Sequence, residues 1–167
     1  MAQDRLKIAK KEFQHILDLG HMRPSSSNYS SPLHMVPKKE SSYWCPVGDF
    51  RALNAQTKKD NDPIPSILDF TSDLHGAKIF PPIDLVKAFH EISIASEDLH
   101  KTAICTPFGL FESTRMQFGL CNAESTFQRF IDKVTRGLKG VYACIDDILI
   151  ASQNFQEHTA NLHALFE

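Results

Sequence analysis

Two adjacent carboxylates interrupt an apolar stretch near the end of the chain. Asp146 and Asp147 lie between two strongly apolar runs, 141–145 and 148–151. This pattern is typical of a tight β-hairpin, whose apex presents both carboxylates to one small volume. Like charges side by side are costly near a core unless a cation offsets them. Asp84, at the end of another apolar run, is a third carboxylate that a neighbouring strand would bring to the same place.

Three converging carboxylates form an all-oxygen site, which suits a hard cation such as Mg²⁺. Two such ions about 3.5–4 Å apart can activate an attacking hydroxyl and stabilise a leaving pyrophosphate. The same residues also allow a simpler interpretation, because Asp-Asp is common in hairpin turns and Asp84 could cap a helix. These residues alone leave both interpretations open.

Composition narrows the class of protein that could carry such a site. The chain has 167 residues, 42% hydrophobic and 23% charged, which is typical of one globular domain with a sizeable core. No apolar run is long enough for a transmembrane helix, and the N-terminal segment lacks the apolar core of a secretory signal. We therefore expect an intracellular protein that is not secreted. The net charge of −2 does not by itself indicate a nucleic-acid-binding protein.

Strands and helices are mixed without regular βαβ alternation, which predicts an α+β fold. Helices are predicted over 4–19, 66–75, 122–138 and 154–166. Strands are predicted over 33–37, 44–50, 79–85, 141–145 and 148–151, with a further hairpin over 102–111. Lys38 to Tyr43 would form an exposed basic hairpin tip. Asn154 and Glu157 have the spacing of a capping box that opens the last helix.

Short motifs follow one another in a fixed order along nearly the whole chain. They are Arg23-Pro24-Ser25-Ser26-Ser27, Ser31-Pro32-Leu33, Val36-Pro37-Lys38-Lys39, Gly48-Asp49-Phe50-Arg51-Ala52-Leu53-Asn54, Pro63-Ile64-Pro65, Ile83-Asp84-Leu85-Val86-Lys87-Ala88-Phe89-His90, Lys101-Thr102-Ala103-Ile104, Thr106-Pro107-Phe108-Gly109-Leu110-Phe111-Glu112, Phe118-Gly119-Leu120, Asn122-Ala123, Thr126-Phe127-Gln128-Arg129-Phe130 and Ile145-Asp146-Asp147-Ile148-Leu149. Together they resemble the reverse transcriptases of gypsy-type LTR retrotransposons. An ordered series of this length is far more specific than any single motif.

The resemblance implies a right-hand polymerase fold of the α+β class, with fingers and palm in one reverse transcriptase domain fragment, 1–167. An antiparallel palm sheet would carry the catalytic carboxylates, and the thumb would be absent. Residues 1–78 would be largely fingers and the segment leading into them. Residues 79–167 would be mainly palm, with elements of the fingers interleaved.

The resemblance also implies an activity, that of a magnesium-dependent RNA-directed DNA polymerase that adds dNTPs to a primer 3′-hydroxyl. Asp84 and Asp146 would bind two Mg²⁺ ions directly, with Asp147 supporting them and the Leu85 carbonyl as a further ligand. Mn²⁺ would be able to substitute for Mg²⁺. The partners implied are an RNA or DNA template with its primer, the dNTPs, and RNase H and integrase domains of the parent Pol polyprotein, but no membrane. The place of action would be a cytoplasmic virus-like particle or the nucleus.

Residues beside the carboxylates would bind nucleotide and nucleic acid. Phe89 would lie under the sugar and exclude a ribose 2′-hydroxyl, although its spacing from Leu85 equally fits an ordinary core position. Lys38 would contact the triphosphate, or else be a solvated hairpin lysine. The nucleotide pocket would also include Arg51, Phe118 and Gly119. The template or primer would be contacted by Gln128 and Cys144.

The sequence departs from the family pattern at four places. Cys144 replaces a tyrosine before the carboxylates, and Cys45 replaces an arginine that would hold the triphosphate, which a thiol cannot imitate. Pro81-Pro82 replaces Ser-Lys ahead of Asp84 and is expected to distort that strand. Gln117 replaces a proline. These departures support an alternative, a catalytically inactive, truncated retroelement remnant that keeps the fold and at most weak nucleic-acid binding.

Overall fold

The computed structural model describes residues 2–37, 44–72 and 74–167. Four helices and eight strands lie within these ranges. The helices are α1 (Gln3–Asp18), α2 (Arg51–Asn54), α3 (Ala123–Val134) and α4 (Phe155–Phe166). The strands are β1 (Met22–Pro24), β2 (Ser31–Pro37), β3 (Trp44–Gly48), β4 (Pro82–Asp84), β5 (Ile104–Thr106), β6 (Gly109–Ser113), β7 (Val141–Cys144) and β8 (Asp147–Ile150). The chain divides into two compact units, each built from two separate stretches.

Unit 1 comprises Met1–Lys59 and Phe89–Ala123. Its five-stranded sheet has the order β1-β6-β5-β2-β3, with β2 and β5 parallel and the other neighbours antiparallel. Apolar residues of α1 pack with residues of the sheet and the segment after β3, and the buried members of this core are Phe13, Ile16, Met22, Phe50 and Ile104. A Cβ at Gly48 would lie 2.7 Å from the Phe50 ring, so only glycine lets the ring pack against β3.

Unit 2 comprises Asp60–Ala88 and Glu124–Glu167. Its three-stranded sheet is antiparallel, in the order β4-β8-β7. Successive side chains of a strand alternate between the two faces. One face carries Ala143, Ile148 and Ile150, which are buried, as are Phe127 and Ile131 of α3. The opposite face carries the polar residues described below.

The structure confirms most of the predicted elements and shortens three of them. Only a 3-10 turn, Ile67–Phe70, forms where a helix was expected over 66–75, and Leu68 in it is exposed. An exposed Leu68 adds little of the packing that stabilises a helix of this length. The strand expected over 79–85 reduces to β4 and a single bridge between Ile79 and Ser152.

The third shortened element is α3, which ends at Val134 rather than at 138. Its expected apolar stripe is only half buried, because Phe130 and Val134 are exposed. The capping box of α4 is confirmed, since the Asn154 Oδ1 accepts the Glu157 N–H at 2.9 Å. Residues 38–43, including Lys38, lie outside the described part of the chain. Within that part, none of the helices combines the length and the apolar character needed to cross a membrane.

Gly140 offers a test of the packing in unit 2. Its φ is +68°, and a Cβ built there would collide with the Ala151 carbonyl oxygen, whereas at Gly137 (φ +88°) it would meet open space. Gly137→Ala should therefore cost only the left-handed backbone strain, about 1–2 kcal/mol. Gly140→Ala should lower the free energy of unfolding by ~1–3 kcal/mol more than Gly137→Ala does, because of the clash. Urea unfolding of both variants measures this, and equal losses would contradict the packing described here.

Candidate active site

A row of polar side chains crosses the three-stranded sheet of unit 2. Asp84 of β4 is the Cα partner of Asp147 in β8, and Asp147 is also the partner of Cys144 in β7. Directly paired residues in antiparallel strands point to the same face of the sheet. The three side chains therefore share one face. The next row on that face consists of Pro82, Leu149 and Tyr142.

The hairpin that carries the adjacent carboxylates has a two-residue loop, Ile145-Asp146. The sequence pattern predicted both carboxylates at the apex of the hairpin. Only Asp146 lies there, because Asp147 is the first residue of β8. The Leu85 N–H donates to the Asp146 carbonyl at 2.9 Å, which ties the loop to the end of β4. The backbone thus brings Asp84, Leu85, Asp146 and Asp147 together within one unit.

The hydrogen bond between Leu85 and Asp146 also determines how Asp84 and Asp147 face each other. Hydrogen-bonded and non-hydrogen-bonded pairs alternate along an antiparallel ladder. Since Leu85 bonds to Asp146, the pair of Asp84 and Asp147 is of the non-hydrogen-bonded kind, in which Cα atoms lie about 4.5 Å apart. Like charges directly opposite each other at such a pair are destabilising. A cation held between them would offset that cost.

The same alternation explains why Pro82 is tolerated. Pro82 pairs with Leu149 two positions from Asp84, so it also occupies a non-hydrogen-bonded pair and its missing N–H is not needed. Moreover, β4 is an edge strand of the described sheet, where proline is usually found. The register is regular from Pro82 to Asp84, so the distortion expected there from Pro81-Pro82 is not observed.

The donor set suits a hard divalent cation. Three carboxylates and a backbone carbonyl are all oxygen ligands, which Mg²⁺ prefers. Asp84 and Asp147 are exposed and Asp146 is half-buried. In the described ranges, no three His, Cys, Asp or Glu side chains are already arranged as a metal site. Carboxylates that repel one another and reach solvent have no reason to converge without a cation. The residues fit Mg²⁺ by chemistry and backbone placement.

Cys144 turns its thiol away from open solvent. Its Sγ donates to the Pro65 carbonyl at 3.1 Å. Burial raises the pKa of the Cys144 thiol, and the negative charges of Asp147 and Asp146 raise it further. The group is therefore a neutral thiol at neutral pH. The contact of Cys144 with template or primer stays a prediction.

Gln128 lies beneath the hairpin and is only 2% exposed. Its Oε1 accepts the Ile145 N–H at 2.7 Å, and its Nε2 donates to the Ala143 carbonyl at 3.1 Å. The contact of Gln128 with template or primer stays a prediction. Its support of the hairpin backbone was missed by sequence reasoning. The available signal was a polar residue beside Phe127 on the buried side of α3.

Of the residues assigned to the nucleotide pocket, those that the structure describes belong to unit 1. Arg51 is exposed and forms a forked pair with Asp49, with Nε to Oδ1 at 2.8 Å and Nη2 to Oδ2 at 2.6 Å. His34 approaches the same carboxylate, with Nε2 to Oδ2 at 3.3 Å. The Arg51 guanidinium holds the pKa of Asp49 well below its usual range, and Asp49 in turn raises the pKa of Arg51. Asp49 thus orients Arg51, a role that its place in the same motif could have suggested.

Phe89 and Phe118 form an aromatic pair in unit 1. Their ring centroids are 6.2 Å apart with the planes tilted by 59°, and Phe118 is 66% exposed. Asn54 holds the neighbouring segment, because its Nδ2 donates to the Gly119 carbonyl at 2.8 Å and its Oδ1 accepts the Cys121 N–H at 2.9 Å. Sequence reasoning did not single out Asn54, although it ends the Gly48–Asn54 motif.

Comparison with known proteins identifies the family of this chain. The family model described as reverse transcriptase (RNA-dependent DNA polymerase) matches residues 36–167. The chain belongs to the reverse transcriptase family.

Relatives of this reverse transcriptase chain include retrovirus-related Pol polyproteins from transposons. It is 40% identical over 160 residues, 92% of its length, to the retrovirus-related Pol polyprotein from transposon opus of Drosophila melanogaster. It is 37% identical over 96% of its length to the corresponding polyprotein from transposon gypsy of the same species. The chain spans 16% of each of these relatives.

Solved structures show that the fold is that of reverse transcriptases. The foamy viral protease-reverse transcriptase in complex with an RNA/DNA hybrid matches with a TM-score of 0.85 and 20% identity, over 99% of this chain and 22% of that one. A form of that protein in complex with double-stranded DNA matches with a TM-score of 0.84 and 24% identity, over 90% of this chain and 26% of that one. The expected α+β polymerase fold is confirmed.

The facing carboxylates of this reverse transcriptase chain predict an unusual stability effect. In metal-free buffer of low ionic strength, Asp84→Asn should raise the free energy of unfolding by about 0.2–1 kcal/mol, because one of two facing charges is removed. Asp147→Asn should do the same, and the double variant should gain less than the sum of the two. Urea unfolding of the wild type, the two single variants and the double variant measures these changes in the free energy of unfolding. A loss of stability in both single variants would contradict the facing arrangement.

Proposed function

We propose that this chain carries the catalytic site of an RNA-directed DNA polymerase, which adds dNTPs to the 3′-hydroxyl of a primer. The observation that supports this most is the backbone register of unit 2. It sets Asp84 opposite Asp147 and bonds Leu85 to Asp146, so that carboxylates from two separate motifs share one end of a sheet. Such convergence has no structural purpose of its own, since it brings like charges together.

Asp84, Asp146, Asp147 and the Leu85 carbonyl are the groups that would hold two Mg²⁺ ions, or Mn²⁺ in their place. When bound, these ions supply the positive charge that activates the primer hydroxyl and stabilises the leaving pyrophosphate. The chain's own contribution is position and charge rather than a covalent step. Here the β4–β8 register and the Leu85–Asp146 bond supply that position.

The nucleotide would be bound by groups of unit 1. We assign the sugar to Phe89, whose ring would occupy the space that a ribose 2′-hydroxyl needs. Phe118 contacts the Phe89 ring and would keep it in place. Arg51, oriented by Asp49, would line the pocket, and Lys38 would contact the triphosphate.

The ligands and setting of the parent protein follow from the same proposal. An RNA or DNA template with its primer would be the nucleic-acid partner, as the foamy viral complexes with an RNA/DNA hybrid and double-stranded DNA suggest. RNase H and integrase domains would accompany this chain in a Pol polyprotein. DNA synthesis would take place in a cytoplasmic virus-like particle or in the nucleus.

A catalytically inactive remnant is the second candidate function. It is favoured by the chemistry of two cysteines rather than by the fold. Cys45 is exposed on β3 and lacks the charge and forked donors of an arginine. The Cys144 thiol is engaged with Pro65 and offers no aromatic ring to a primer.

Primer extension distinguishes the two candidates. With a primed RNA template, dNTPs and Mg²⁺ or Mn²⁺, the wild-type chain should extend the primer and Asp146→Asn should not. Removing one ligand of a catalytic metal should lower the rate at least about 100-fold, comparable to losing one transition-state contact. Absence of extension by a folded wild-type chain would favour the remnant. Extension restored by Cys45→Arg and Cys144→Tyr would then assign the loss to those two positions.

The sugar assignment makes a separate prediction. Phe89→Ala should increase the incorporation of ribonucleotides relative to deoxyribonucleotides, because the steric barrier to the 2′-hydroxyl is removed. Relief of such a clash is worth roughly 1–3 kcal/mol, or about 10–100-fold in selectivity. Competition between GTP and dGTP on one template measures the ratio, with Phe108→Ala as an aromatic control elsewhere in unit 1. Unchanged selectivity in Phe89→Ala would refute the sugar role.

A further inference from the structure

The turn that carries Asp146 has an unfavourable backbone conformation. Ile145, the first residue of the two-residue loop, has a φ of 54°. This left-handed region suits glycine or asparagine at hairpin loops and is costly for a β-branched side chain. Such strain persists only when surrounding structure imposes it. Something outside the hairpin must therefore hold Ile145 in place.

The Gln128 carboxamide bonds to the backbone at Ile145 and just before it. Its Oε1 accepts the Ile145 N–H at 2.7 Å, and its Nε2 donates to the Ala143 carbonyl at 3.1 Å. The two bonds span the backbone that enters the loop. Gln128 is 2% exposed, so water does not readily replace it there.

Asp132, one turn further along α3, fixes the orientation of this carboxamide. The Gln128 Nε2 donates to the Asp132 Oδ1 at 2.8 Å. A carboxylate only accepts and a backbone N–H only donates, so Nε2 must face Asp132 and Oε1 must face Ile145. The reversed amide would lose all three hydrogen bonds.

We propose that Gln128 is a positioning residue that holds Ile145 in its strained conformation and thereby places Asp146 and Asp147 for metal binding. This inference rests on the proposed function, because it assumes that these carboxylates hold the catalytic cations. It assigns Gln128 a role apart from template contact. The role is mechanical, since Gln128 acts through the backbone of the loop.

The first test removes the carboxamide and keeps its volume. In Gln128→Met, the Ile145 amide should exchange with solvent at least about tenfold faster. Mn²⁺ should bind about 10–100-fold more weakly, the usual result of removing a group that orients metal ligands. Amide hydrogen exchange followed by NMR and titration calorimetry with Mn²⁺ provide the two readouts.

Gln14→Met is the matched control. On α1, the Gln14 Nε2 donates to the Asp18 Oδ1 at 2.8 Å, which repeats the Gln128–Asp132 pair at the same spacing but belongs to unit 1 rather than to the unit that carries the site. This variant should leave both the exchange rate of Ile145 and the Mn²⁺ affinity within about twofold of wild type. An equal effect of the two variants would show that loss of a glutamine–aspartate pair within a helix, rather than loss of positioning, explains the result.

The second test removes the strain instead of the support. Glycine adopts the left-handed conformation without steric cost. Adding Ile145→Gly to Gln128→Met should therefore recover at least about tenfold of the lost Mn²⁺ affinity. A purely structural role of Gln128 predicts no such rescue. If Gln128→Met does not fold, the double variant should fold, because the turn no longer needs the carboxamide.

Two results would overturn the inference. One is a folded Gln128→Met that retains the Ile145 protection and Mn²⁺ affinity of wild type. The other is a double variant that recovers neither folding nor affinity. Failure of the proposed function has a different signature: the wild-type chain extends no primer, while the exchange and Mn²⁺ effects of Gln128→Met still appear.

Discussion

Two carboxylates that face each other across neighbouring strands repel, so their position must be imposed by the backbone that carries them. In this chain the constraint is the register between β4 and β8, closed by the Leu85–Asp146 hydrogen bond. That single bond decides that Asp84 meets Asp147 at a close pair. The buried face of the same sheet provides the apolar packing that keeps the strands together despite this repulsion.

The sequence predicted the chemistry of the site better than its local geometry. The two apolar runs beside Asp146 and Asp147 correctly predicted a hairpin there, and the ordered motifs correctly predicted the family. The loop boundary was wrong by one residue, because local preferences would never place Ile145 at a positive φ. A long-range contact from Gln128 overrides those preferences, and such contacts are absent from any local pattern.

Other differences between expectation and structure have similar causes. The strand before Asp84 is short because Pro81 has no N–H to offer the ladder, whereas Pro82 pairs where no N–H is needed. The apolar stripe of α3 predicted burial for Phe130, but periodicity identifies a face without stating how much of it will be covered. The roles of Arg51, Phe89 and Lys38 came from the family resemblance and could not be obtained from composition or spacing.

The interleaving of the two units has a consequence for how the protein is made. Strand β1 (Met22–Pro24) has its partner in Phe111–Ser113, and both units are built from two stretches separated by part of the other. A ribosome adds about 5–20 residues per second, so β1 waits roughly 5–20 s before its partner is synthesised. Pairing across such a sequence distance is also slow in itself. Nascent chains should therefore expose unpaired strand edges for seconds, which makes them natural clients of chaperones.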